Sequence, residues 1–199
     1  MWNERFSEPG YAYGTEPNDF LVSVADQIPE GKVLSLAEGE GRNAVYLAGL
    51  GHKVTAVDSS DVGLAKANTL AAERGVEIET VLADIADYEI EPGAWQGIVS
   101  IYFHTDPAER ARIHRLCVEG LVPGGVFVLV GFTPRQLAHA TGGPKNPVLL
   151  MEPGEIAPEL DGLDLEISRE VVKQNSEGAY HEGTSAVLEI LGVKPIPNC

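Results

Sequence analysis

The residues of this chain best suited to chemistry stand in one short run, Leu36-Ala37-Glu38-Gly39-Glu40-Gly41-Arg42-Asn43-Ala44. The run follows an apolar stretch read as a strand and opens a stretch with helical spacing. Glycines there permit a tight turn and let a ligand come close to the backbone. A further acid, Asp58, closes the next strand-like stretch, where a carboxylate can accept hydrogen bonds from a ribose diol. Together they predict a nucleoside-containing ligand at the first crevice of a doubly wound sheet. Two ligands compete. Gly39-x-Gly41-x-x-Ala44 fits the dinucleotide fingerprint, which would set the pyrophosphate of NAD or FAD over the loop. Yet a carboxylate such as Glu38 or Glu40 about 4 Å from a phosphate charge costs roughly 4 kcal/mol at an effective dielectric of about 20. Arg42 offsets part of that. S-adenosylmethionine has no phosphate and carries an ammonium and a sulfonium, so an acidic loop favours it over a dinucleotide.

The elements that must position this loop alternate. Phe20, Leu21, Val24, Ala25 and Ile28 have helical spacing, with Pro17 before them and Pro29 and Gly31 after. Val33 to Ala37 predicts a buried strand, and Val45 to Leu50 a helix stopped by Gly51. Val54 to Val57 predicts the second strand. Ser59 or Ser60 can cap a helix running to about Arg74, with Gly75 as its stop. Ile78–Leu82 and Ile98–Phe103 read as strands. Asp106-Pro107-Ala108-Glu109 resembles a capping box with proline in the first turn. Val122-Pro123-Gly124-Gly125 reads as a turn before a fifth strand, Val126 to Val130. Strand and helix in alternation with short connections predict an α/β fold, a doubly wound, mostly parallel sheet with helices on both faces. From 131 to 160 the rhythm breaks into a Gly- and Pro-rich insertion. Two β-like runs, around Leu163–Val172 and Thr184–Val193, suggest a terminal antiparallel hairpin.

Composition narrows the partners. The 199 residues hold 14 Lys and Arg against 30 Asp and Glu, a net charge of −16. That surplus argues against nucleic acid and against an anionic membrane surface. Two cysteines, Cys117 and Cys199, make no disulfide framework, and no His/Cys spacing suggests a metal site. The first residues show no basic start leading into an apolar run, and no apolar stretch is long enough to span a bilayer. A cytoplasmic protein acting on a small molecule is the expectation, with no oligomeric state set by the pattern.

The chain resembles the class I S-adenosylmethionine-dependent methyltransferases and, among them, the tellurite-resistance and thiopurine methyltransferase group. The resemblance rests on Gly39-Glu40-Gly41-Arg42-Asn43, Val57-Asp58, Leu82-Ala83-Asp84-Ile85, Leu121-Val122-Pro123-Gly124-Gly125 and the leading Trp2-Asn3-Glu4-Arg5-Phe6 and Tyr13-Gly14-Thr15-Glu16-Pro17-Asn18. It implies one Rossmann-like methyltransferase domain over 1–199 with a seven-stranded sheet and an antiparallel C-terminal strand. Residues 1–30 would form a lid and helix, and 131–160 a substrate-side insertion. The cofactor would be S-adenosylmethionine, with Tyr13, Ala37, Glu38, Gly39, Glu40, Gly41, Asn43, Asp58, Ser59, Asp84, Ile85 and Ile101 around it. The acceptor would be a small molecule, with a tilt toward a soft sulfur, selenium or tellurium nucleophile. One departure stands out. The family's loop begins with an acid two residues before its first glycine; those positions here are Ser35 and Ala37, and Glu38 stands where a small residue or cysteine is usual. Glu38 is therefore expected to supply the missing charge near the cofactor ammonium.

Two histidines are candidate catalytic groups. His104 ends the fourth strand on the expected substrate side, and His181 lies between the last two strands. In the relatives an arginine follows such a histidine; here Glu182 takes its place. His114 and His139 read as surface residues and His52 as part of a turn. Lys145, Arg5 and Arg42 are the few basic groups near the expected site. An NAD-dependent oxidoreductase and a non-catalytic S-adenosylmethionine-binding protein are the alternatives.

Overall fold

A computed structural model describes residues 2–139, 141–178 and 180–197. Cys199 lies outside them. Seven strands form one sheet in the order β3-β2-β1-β4-β5-β7-β6: β1 Lys32–Leu36, β2 Lys53–Asp58, β3 Glu79–Leu82, β4 Trp95–Ile101, β5 Leu121–Phe132, β6 Asp164–Glu177 and β7 His181–Val193. The first five pair in parallel, and β7 runs antiparallel between β5 and β6. Val33, Leu34 and Leu36 of β1 are all buried because a central parallel strand is covered on both faces. One face packs Val33, Val54, Val99 and Val128 on Phe20, Leu21 and Leu47; the other packs Leu34, Val57, Ile98 and Phe127 on Ile113 and Cys117.

The helices are α1 Trp2–Phe6, α2 Asp19–Val24, α3 Arg42–Gly49, α4 Asp61–Arg74, α5 Pro107–Gly120 and α6 Pro153–Glu159. Local chemistry sets their ends. The Ser60 hydroxyl accepts from the Gly63 N–H at 3.0 Å to start α4, and Gly75 ends it at φ 70°. Gly41 caps α3 at φ 95°, and a Cβ there would lie 2.6 Å from Ala67, so only glycine lets α3 and α4 meet this closely. The chain leaves β1 toward β2 and β3 on one side and takes up β4 on the other. The carboxyl ends of β1 and β4 therefore flank the point where connection direction reverses, the usual ligand crevice of such sheets.

Four local expectations change. Asp106 caps α5 through the Ala108 N–H at 3.0 Å, but Glu109 accepts from the Thr105 hydroxyl at 2.7 Å, so no reciprocal box forms. Residues 122–125 are not a turn ahead of β5 but a bulge within it: Trp95 pairs with Leu121 and Gly97 with Val126. His114 is buried rather than exposed. Its Nδ1 lies 2.7 Å from Glu159, which also pairs with the buried Arg110 at 2.8 Å and so ties α6 of the insertion to α5. The hairpin strands also run longer than their apolar cores, pairing out to Glu177 and His181.

His104 fastens the insertion at a second point. Its Nδ1 donates to the Leu149 carbonyl at 2.9 Å, and its Nε2 accepts from the Phe132 N–H at 3.2 Å. Burial outweighs the Leu149 hydrogen bond and lowers its pKa from 6.5 to about 4. Above pH 6.5 the ring is neutral folded and unfolded. Between 6.5 and about 4 the unfolded chain takes a proton that the folded chain refuses, so stability falls as pH falls. At pH 5 the expected cost is about 2 kcal/mol. Urea midpoints at pH 7 and 5 should converge in His104→Asn; an unchanged pH dependence would remove His104 as its source. Glu159→Gln, which leaves the buried Arg110 guanidinium only the more distant Glu155 carboxylate at 3.6 Å, should cost about 3 kcal/mol in the same assay.

Candidate functional site

The loop from β1 to α3 is built around its own acids. Ala37 leaves β1 at φ 51°, a conformation uncommon outside glycine that concentrates at functional sites. That turn sends the buried Glu38 side chain back under the loop. Its carboxylate accepts from the Asn43 and Ala44 N–H groups at 3.0 Å each, and from the Ser35 hydroxyl. It thereby fills the anion site that the first turn of α3 offers. Burial pushes the Glu38 carboxyl up, against the pull of those three donors. Gly39 follows at φ 63°, and its N–H donates to Asp58 at 2.8 Å.

Asp58 ends β2. Its other oxygen accepts from the Ser60 N–H at 2.8 Å, and burial raises its pKa despite both bonds. The neighbouring Ser59 is exposed. On the adjoining strand, Leu82 is the register partner of Asp58, and Asp84 lies two residues beyond it. Asp84 is exposed, with one carboxylate oxygen holding the Ala86 N–H at 3.0 Å, while Ile85 is buried against Leu36 and Val57. Ile101 is buried at the end of β4.

Glu40 and Asn43 point instead to the segment between α1 and α2, which straps across the loop. Glu40 accepts from the Ala12 N–H at 2.7 Å and pairs with Lys66 of α4 at 2.8 Å. Asn43 accepts from the Asn18 N–H at 2.9 Å. Phe6 is buried where it touches Gly39 and Gly63; a Cβ on either would lie 3.0 or 2.9 Å from its ring. Gly14 meets Gly178 backbone to backbone, and a Cβ on Gly178 would fall 2.5 Å from the Gly14 nitrogen.

Under the strap lies a cavity of about 290 Å³ lined by Arg5, Tyr13, Thr141, Gly142, His181 and Glu182, among others. Strap, insertion and hairpin each supply a wall. Arg5 donates to the Tyr13 hydroxyl at 2.8 Å and its guanidinium lies 4.5 Å over the Tyr180 ring. The insertion contributes Gly142 and Gly143, whereas Lys145 is exposed and is not among the lining residues. His181 is enclosed by Tyr13, Tyr102 and Phe132, with ring centroids at 4.5, 4.5 and 5.2 Å. Of the two candidate histidines it lines the cavity, while both ring nitrogens of His104 are held by main chain.

Sequence reasoning passed over two residues here. Tyr102 follows β4 at φ 58°, half-buried, with its hydroxyl accepting from Asn175 at 2.9 Å. Glu177 ends β6, where it accepts from the Asn18 side-chain amide at 2.7 Å and pairs with Arg42 at 3.3 Å. Arg42 is itself buried, not a free cation at the site. Only the hairpin register, which no local pattern gives, places Glu177 opposite His181. Among the described residues there is no group of three metal-ligating side chains and no helix long and apolar enough to cross a membrane.

Comparison with known proteins agrees with this geometry. Residues 33–125, from β1 into β5, match the family described as a methyltransferase domain. The ubiquinone biosynthesis O-methyltransferase of Caulobacter sp. (strain K31) is 30% identical over 132 residues, covering 62% of this chain and 50% of that protein. The probable S-adenosyl-L-methionine-dependent methyltransferase TehB of Haemophilus influenzae is 38% identical over 65 residues, 33% of this chain and 23% of that protein. The chain thus spans half or less of these curated relatives. The crystal structure of TehB from Haemophilus influenzae superposes with a TM-score of 0.73 at 22% identity, covering 89% of this chain and 62% of that one. S-adenosylmethionine is the cofactor of the matched family. By its domain match over residues 33–125, its relatives and its fold, the chain resembles the class I S-adenosylmethionine-dependent methyltransferases and, among them, the TehB group.

Proposed function

We propose that this protein transfers the methyl group of S-adenosylmethionine to a small-molecule nucleophile held in the cavity beneath the strap. The observation that carries this reading is the pair of left-handed residues, Ala37 and Tyr102, leaving the adjacent strands β1 and β4 beside the buried Asp58. Strained backbone at two neighbouring strand ends is the signature of a built crevice. Asp58 then accepts the ribose hydroxyls with the lone pairs that Gly39 and Ser60 leave free. Asp84 and Ile85 flank the adenine, Ala37 and Gly39 shape the floor, and Ile101 closes the side. His181 faces the acceptor. Methyl transfer neutralises the sulfonium, so a water-poor site that aligns the reactants supplies most of the rate.

A dinucleotide is disfavoured for a structural reason. Its pyrophosphate belongs on the first amides of α3, and the Glu38 carboxylate already holds those of Asn43 and Ala44. The same bonds give Glu38 a different task from the one its position in the sequence suggested. It orders the loop rather than facing the cofactor ammonium. A soft acceptor such as a thiol or selenol suits the resemblance to TehB.

Thermal-shift titration with S-adenosylmethionine, S-adenosylhomocysteine and NADH tests the reading. Ligand at about 100 times its Kd adds about 2.7 kcal/mol, a rise of roughly 5–10 °C for a chain of this size. The rise is expected with the adenosyl ligands alone, and at least tenfold weaker binding in Asp58→Asn by calorimetry. A rise with NADH alone would overturn the proposal. Glu38→Gln still accepts the α3 amides, whereas Glu40→Gln loses the Lys66 ion pair that fastens the strap. Cofactor affinity should therefore fall further in Glu40→Gln, and the reverse order would restore Glu38 as a partner of the ammonium.

A further inference from the structure

His181 and Glu177 face each other across the mouth of the hairpin. Their Nδ1 and Oε2 atoms lie 3.6 Å apart, both are buried, and among the described residues neither has a hydrogen-bond partner. Two orphaned groups of opposite polarity at this distance are costly in a dry site unless they serve each other. The far edge of the imidazole turns to the cavity. A Cβ on Gly142, which lines that cavity, would lie 2.8 Å from His181 Cδ2 and 3.4 Å from Nε2. Tyr13, Tyr102 and Phe132 enclose the ring and fix its plane. Glu177 is in turn held by Asn18 and Arg42, so its spare oxygen is aimed rather than free.

Resting on the methyltransferase reading, we propose that Glu177 is a positioning residue that holds the His181 Nδ1 proton, leaving Nε2 to take a proton from the acceptor, so the acceptor is a protic nucleophile such as a thiol, selenol or hydroxyl. In the step, a lone pair of the acceptor atom forms the new bond to the methyl carbon. The carbon–sulfur bond breaks with its electron pair going to sulfur, and the sulfonium becomes a thioether. The acceptor's proton passes to His181 Nε2, and the imidazolium so formed is stabilised by the Glu177 carboxylate until water removes the proton. A nucleophile with no proton to lose would have no use for the pair. The charged and titratable groups around the ring are Glu177 from β6, Arg42 from α3, Arg5 from α1, Tyr13 from the strap, and Tyr102 and His104 after β4. Burial lowers the imidazole pKa and Glu177 draws it back up. Burial alone would raise the Glu177 carboxyl, but His181 and Arg42 outweigh it and bring it to about 2.

Histidine-labelled NMR reads this without a known acceptor. In the wild-type protein the neutral His181 ring should carry its proton on Nδ1, and the Nε2-protonated tautomer would overturn the proposal. This readout needs no variant, so it stands even if substitution at Glu177 impairs folding. In Glu177→Gln the His181 pKa should fall by about one unit, a tenfold change in proton affinity, and Glu177→Asp should restore it. An unmoved His181 pKa overturns the proposal. Calorimetry with S-adenosylhomocysteine on the same samples separates the two readings. Loss of cofactor binding in the wild type would sink the methyltransferase reading while the tautomer still reports on the pair. Methyl transfer to iodide or dimethyl selenide, with none to 2-mercaptoethanol, would keep the methyltransferase and reject the protic acceptor.

Discussion

A single carboxylate, Glu38, gives the ligand loop its form. It turns inward at the strained Ala37, caps the first amides of α3 and holds the Ser35 hydroxyl of β1. With that anion supplied from within, the helix has little left to offer a phosphate. The loop can then spend its glycines on close approach: Gly41 against α4, Gly39 against Phe6 and Asp58. The negative charge that makes the loop unsuited to a dinucleotide is thus a structural part of it, placed where a phosphate would otherwise sit.

Around that loop the remaining acids work as fasteners. Glu40 holds the strap at Ala12 and α4 at Lys66, and Glu177 holds Asn18, Arg42 and the neighbourhood of His181. On the other side of the sheet Glu159 serves Arg110 and His114 together. These are buried or half-buried pairs whose loss strands a charge, which costs far more than breaking a pair at the surface. The chain's acidic excess is therefore more than a solvated coat.

Much of this was legible in the sequence, for a physical reason. Hydrophobic periodicity and turn chemistry are local, so β1, β2, β3, the Ser60 cap of α4 and its Gly75 stop could be placed within a residue or two, whereas β4 and β5 start earlier than their apolar runs, at Trp95 and Leu121. The glycine loop and Asp58 were visible because close approach and acid placement follow from residue type. Non-local partners were hidden. Nothing next to His114 in sequence announces Glu159, 45 residues away, and nothing next to His104 announces the Leu149 carbonyl. Tyr102 was obscured because an aromatic residue at a strand end reads as core, not as backbone forced into a left-handed turn. Glu38 was visible as a charge, but its direction depends on the Ala37 turn, which no spacing reveals.

The Gly14–Gly178 contact bears on how the site exchanges its contents. Here the strap and the hairpin touch through bare backbone, with no side chain between them to flex or rotate aside. A wall made of side chains can open by rotamer changes on the fast timescale of such motions, but two apposed main chains separate only when a whole segment moves. Opening at this joint therefore takes displacement of a segment, a motion slow relative to side-chain rotation.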